Sequence, residues 1–187
     1  MTDELSERRK QVLRLLDRVP KGKVGLSSDD PTFYTMTNLN TASLTKWWNE
    51  HPPGTEGAEL TSCNPFVGWV ARQIGAKPGS VLASNTLRLD RAGTEVPGSW
   101  IVPTSGLMPK PGDFYAQPFV SKDGWVQKFG HVGVIAAVHD WLFFDTVDGG
   151  QGGRGQGMDF IRWNMDRLYT GEHVTGWVDI DLYFAGR

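Results

Sequence analysis

Few residues in this chain have side chains and surroundings suited to chemistry, and one of them is its single cysteine. Cys63 stands near the start of Thr61-Ser-Cys-Asn-Pro-Phe-Val-Gly-Trp-Val-Ala71, where Phe66, Val67, Trp69, Val70 and then Ile74 recur at helical spacing. Ser62 suits an N-cap, Pro65 falls in the first turn where its missing N–H costs nothing, and Gly75 suits the C-terminus. Cys63 is therefore predicted in the first turn of an amphipathic helix. Partial positive charge and unpaired N–H groups at a helix start stabilise a thiolate, and they also stabilise the oxyanion formed when a carbonyl is attacked. The alternative for a lone cysteine is a small apolar residue packed beneath the helix. Its neighbours have to decide between the two.

A nucleophilic thiol needs a base, usually a histidine that is itself oriented by a third polar group. Of the four histidines, His51 sits in a Pro-Pro turn, His173 in a polar loop and His139 at a hairpin turn, and all three read as solvated. His131 differs, because Gly130-His-Val-Gly-Val-Ile135 sets it at the start of an apolar strand, where a polar ring needs a partner. Asp145, on the next predicted strand, is the expected partner. Asp148 is its rival, and strand register separates the two.

The elements that must position these groups follow from periodicity. Leu5, Val12, Leu15, Leu16 and Val19 form one stripe, which predicts a helix over residues 3–19. An irregular stretch follows, then a short helix over 41–50 carrying Trp47 and Trp48, and then the Cys63 helix. Residues 76–111 are rich in Gly, Pro and Ser, with weak strand or helix pieces near 81–89. Strands are predicted over 113–116, 131–138 and 141–147, with the last two joined at His139-Asp140 as in a hairpin. A short helix over 161–168 and a closing strand over 176–184 complete the reading. Helices first and antiparallel strands after them indicate the α+β class. Residues 1–55 read as an N-terminal helical extension packed on a core of residues 56–187, all within one domain.

Bulk properties exclude several function classes. A net charge of −2 spread over 187 residues supplies no field for nucleic acid or an anionic membrane surface. One cysteine excludes an intramolecular disulfide and a thiolate zinc site, and no metal or cofactor is expected. The N-terminus lacks the apolar stretch and cleavage site of a secretory signal, and no apolar run is long enough to span a bilayer. The glycine-rich run over 148–157 lacks the Gly-Lys-Ser/Thr ending of a phosphate loop. It reads as a flexible loop, or as a substrate-facing lid with Gln151 and Arg154 as polar contacts. Trp69, Trp141 and Trp177 are expected in the core. Trp47 and Trp48 are adjacent, so a helix buries only part of the pair, and one of them could line a cleft.

Four segments together resemble the NlpC/P60 and CHAP-type cysteine peptidases. They are the Cys63 helix, Pro109-Lys-Pro-Gly-Asp-Phe114, Gly130-His-Val-Gly-Val-Ile135, and Phe143-Phe-Asp-Thr146, in the family's order over roughly residues 60–150. The resemblance implies a papain-like fold, with the nucleophile helix packed on a small antiparallel sheet. It further implies cofactor-free hydrolysis of amide bonds in peptidoglycan stem peptides, with Cys63, His131 and Asp145 as the catalytic set. Two departures stand out. Ser62 replaces a frequent Asp, and an aspartate fills a third position that is commonly His, Asn or Gln. Without a secretory signal, a wall hydrolase would be made in the cytoplasm and exported by another route to act in a target cell's periplasm. The favoured setting is an antibacterial effector of a type VI-like secretion machine, which implies a secretion-machine component and an immunity protein as partners. A phage-type endolysin is the other setting. Two further readings stay open: the same residues acting on a host protein (by cleavage or deamidation) or on lipid acyl chains, and an inactive binding module.

Overall fold

The first helix, α1 (Glu7–Arg18), starts where Ser6 Oγ accepts the backbone N–H of Arg9 at 3.2 Å, an N-cap hydrogen bond. It buries Val12 and Leu16, which lie one turn apart. The computed structural model describes residues 4–18, 23–26, 33–37, 63–84, 86–120, 123–124, 126–139, 143–148, 161–166 and 174–186. The predicted 41–50 helix, Trp47, Trp48, Trp141, His51, His173 and the glycine-rich run beyond Asp148 lie outside them.

The second helix, α2 (Cys63–Gln73), begins at the cysteine and buries Phe66, Val67, Trp69 and Val70, with Ile74 just beyond its end. Gly75, at φ +98°, ends it. Its N–H donates to Arg72 O, and the Ala76 N–H donates back to Ala71 O, the crossed pair of a Schellman motif. After α2 the glycine- and proline-rich stretch holds the short helix α3 (Ala92–Glu95), flanked by single 3₁₀ turns at Leu89–Arg91 and Pro103–Ser105.

The class is α+β, and the sheet is antiparallel throughout. Its strands are β1 (Lys23–Leu26), β2 (Phe33–Thr37), β3 (Trp100–Ile101), β4 (Phe114–Val120), β5 (Val126–Val138), β6 (Phe143–Asp148), β7 (Ile161–Asp166) and β8 (Gly176–Val178). They lie in the order β1-β2-β7-β6-β5-β4-β8-β3. Alternation along the strands divides the apolar residues between two faces. Phe114, Ala116, Val132, Val134, Ala136 and Val147 join α1 and α2 in the larger core. Tyr115, Ile135, Phe144 and Trp177 cluster separately with Ile101 and Val174.

Three elements differ from the periodicity reading. The stretch read as irregular contributes β1 and β2, a hairpin that extends the sheet through β7. Residues 161–166 form a strand, not a helix, paired along its length with β6. Ile161, Trp163 and Met165 alternate at period two, and over six residues that period competes with a helical one. The closing strand stops at Val178. Asp179 then accepts the N–H groups of Asp181 and Leu182, capping the helix α4 (Ile180–Ala185). An aspartate cap ahead of Ile-Asp-Leu-Tyr-Phe was the signal that alternation masked.

Candidate active site

Cys63 is the first residue of α2 and is half-buried. α2 lies on the face that carries Val132, whereas alternation sets His131 on the opposite face with Gly133 and Ile135. The sulfur and the imidazole meet at the edge of β5. β6 pairs with β5 from Val134 to Val138, which leaves the β6-side edge at residues 131–132 to the start of α2. Val132 is opposite Ala116, whose carbonyl accepts from Thr175 on the other side, so the Val132 N–H points away from β4. There it, the His131 ring and the backbone N–H of Asn64 bear on the Cys63 sulfur and favour its ionised form.

Burial pushes the Cys63 thiol up. The hydrogen bond and charge of His131, with the two backbone N–H groups, outweigh that and hold the thiol below its ordinary value. The thiol also donates to Asn64 Oδ1 at 3.3 Å. Once the thiol is ionised, the Asn64 amide would have to turn its NH₂ towards the sulfur. His131 moves the other way. Its burial favours the neutral ring, but bonding to Asp148 and to Cys63 raises it to about 9. A lowered thiol beside a raised imidazole is the electrostatic signature of a thiolate–imidazolium pair.

The third group is Asp148. Its Oδ2 lies 3.5 Å from His131 Nε2. The carboxylate is fully buried and accepts at Oδ2 from Tyr115 Oη and Thr146 Oγ1, each at 2.9 Å. Register explains why this residue lies beside His131 and the expected Asp145 does not. Val134 pairs with Val147, so Asp148 falls opposite Gly133, and on the other side of β5 Gly133 pairs with Tyr115. Tyr115, Gly133 and Asp148 thus form a row across three strands. A Cβ on Gly133 would stand 1.6 Å from Asp148 Oδ1. The missing side chain is the space through which the carboxylate reaches His131, two residues away on the same face.

Asp145 is displaced by three residues and therefore belongs to the other face of β6. It pairs with Ala137 and bonds His139 Nε2 at 2.9 Å, far along β5 from His131. The imidazole of His139 is half-exposed. Sequence reasoning also passed over Tyr115, Thr146 and Gly133, and the readable signal was a glycine two residues after a histidine inside a strand. Among the described residues no cluster of three or more His, Cys, Asp or Glu could hold a metal ion. No helix there is long and apolar enough to cross a membrane. A cleft of about 640 Å³ opens beside Asn64, the residue whose side chain bonds the sulfur.

Comparison with protein-family models, with curated proteins and with solved structures finds no match.

Proposed function

We propose that the chain is a cysteine hydrolase of amide bonds in peptidoglycan stem peptides, with a papain-like arrangement of helix and sheet. The observation that carries the reading is the linkage of Cys63, His131 and Asp148, with the sulfur at a helix start and the carboxylate buried behind the ring. The four sequence segments that resemble NlpC/P60 and CHAP-type enzymes supply the substrate class.

In the first half-reaction the Cys63 thiolate attacks the amide carbonyl carbon. The oxyanion that forms is stabilised by N–H groups at the start of α2. The C–N bond breaks as the His131 imidazolium gives its proton to the leaving amine, and a thioester remains on Cys63. The neutral imidazole then takes a proton from water as its oxygen attacks the thioester. The C–S bond breaks, the acid leaves, and the thiolate–imidazolium pair is restored. Asp148 keeps the ring in one orientation and stabilises its cationic form.

Mass analysis of muropeptides after digestion of purified sacculi tests this and names the bond. Wild type should release cut stem peptides, and Cys63→Ala should release none. Directed to the periplasm of a susceptible bacterium, wild type should cause lysis and Cys63→Ala should not. Cleavage that survives in Cys63→Ala would refute the reading.

A further inference from the structure

We infer that the cleft beside Cys63 is a subsite for a carboxylate-bearing substituent of the substrate, with Lys128 as the residue that selects it. This rests on the reading of Cys63 as nucleophile and adds the charge of the group lying next to the scissile amide.

The cleft is walled by Asn64, Leu87, Arg88, Asp90, Lys128 and Phe129. Asn64 joins it to the reacting sulfur, because that side chain bonds Cys63 Sγ. The opposite wall is shaped by an irregularity in β5. Gln117 pairs with His131 and Phe119 pairs with Gln127, so two steps along β4 correspond to four along β5. Extra residues of this kind break the alternation and re-aim side chains beside active sites. Here the bulge immediately precedes the histidine. Phe129 is buried in it, and Lys128 is exposed beside its ring, with Nζ 5.5 Å from the centroid. The Arg88 guanidinium lies 4.9 Å from the same ring.

The charges in the wall do not cancel. Arg88 holds Asp90 through two hydrogen bonds, Nε to Oδ1 at 2.8 Å and Nη2 to Oδ2 at 2.7 Å. Lys128 makes no ion pair with any described carboxylate, although its charge also reaches Asp90, so two cations stand against one carboxylate in the wall. An ammonium on an aromatic face, with amide side chains at Asn64 and Gln127 for a peptide backbone, fits an acidic peptide group entering beside the sulfur.

Alkylation of Cys63 measures this field without knowledge of the substrate. In both reagents the thiolate forms an S–CH₂ bond and iodide leaves with the C–I electron pair. Iodoacetate carries a carboxylate where iodoacetamide carries a neutral amide. The ratio of their rates on wild type should fall about threefold in Lys128→Gln and further in Lys128→Glu. Arg88→Gln, which uncovers Asp90, should lower it in the same direction. On sacculi, Lys128→Gln should raise KM with kcat kept. A ratio unchanged in all three variants would overturn the subsite while leaving the nucleophile in place. Failure of both reagents to label Cys63 would overturn the nucleophile and the subsite with it. Wild type that shows the charge-dependent ratio but leaves sacculi intact would keep the subsite and reject peptidoglycan as its substrate.

Discussion

At the scale of single residues, the proposed function rests on two opposed displacements in protonation, one of sulfur and one of imidazole. The reactive form holds between them. As pH falls through the lowered Cys63 value the thiolate takes a proton, and as pH rises through about 9 His131 loses the proton that the proposed reaction gives to the leaving amine. The rate should therefore follow a bell whose alkaline limb lies near 9. Asp148→Asn removes the charge that raises His131 most, leaving burial, which lowers it, opposed only by the Cys63 sulfur. The imidazole should then fall from about 9 towards its ordinary value, and the thiol should rise as its cation is lost. The pair would no longer coexist near neutrality, with a loss of roughly 10²- to 10⁴-fold in kcat/KM. Asp145→Asn should leave the profile unmoved, because its carboxylate serves His139. Rates of Cys63 alkylation by iodoacetamide across pH check both variants. Coincident profiles for wild type and Asp148→Asn would refute the assignment of Asp148.

At the scale of elements, local signals were legible and relational ones were not. The helix of Cys63 could be read from a first-turn proline, helical spacing and a terminal glycine, and α2 runs as those signals require, while the Ser62 cap lies outside the described residues. His131 was legible as a polar ring in an apolar strand. The choice between Asp145 and Asp148 was not, because it depends on how β6 sits against β5. That pairing contains a register shift between Ile135 and Ala137 which no single strand encodes. Short elements failed for a related reason. Over six residues β7 carries no helical or strand period strong enough to prevail, and the sheet decides. Gly133 did carry relational information, and it can be tested. Gly133→Ala drives a Cβ into Asp148 Oδ1 and to 2.6 Å from Tyr115 Cε1, both in a buried row. It should cost about 1–3 kcal/mol of stability together with most of the activity. In an Asp148→Ala background the collision with the carboxylate is gone, so the same substitution should cost less. Urea unfolding of the four-member cycle measures that coupling, and simple additivity would count against the row.

At the scale of the molecule, the two ends of the chain are held by one buried cation. Arg9 of α1 is 1% exposed and reaches Asp113 at 2.7 Å, Asp179 at 2.9 Å and Asp181 at 2.6 Å, with Pro111 O accepting from Nη1 at 3.0 Å. It thereby joins the first helix to the approach to β4 and to the cap of α4. Asp113 also takes the N–H groups of Lys110 and Ile180. The segment read as an extension is thus part of the structure that holds the sheet carrying His131, and its removal should be felt throughout. Arg9→Met keeps bulk and withdraws the charge, leaving a buried carboxylate unpaired, which typically costs about 3–5 kcal/mol. Burial already lifts Asp113 to about 7, and Arg9 restrains that rise. Without Arg9 it climbs further, so the folded variant binds a proton that the unfolded chain, at about 3.8, releases. Stability from that proton grows as pH falls through the folded value and is complete below the unfolded one. The deficit of Arg9→Met against wild type should therefore be largest near pH 8 and shrink towards pH 5. Urea unfolding at both pH values, followed by tryptophan fluorescence and by Cys63 thiol exposure, checks this. The two probes should report one coincident transition, because the cysteine helix and the sheet share a core with α1. A deficit that does not change with pH, or thiol exposure that precedes the fluorescence change, would show that Arg9 does not join the chain ends to the sheet.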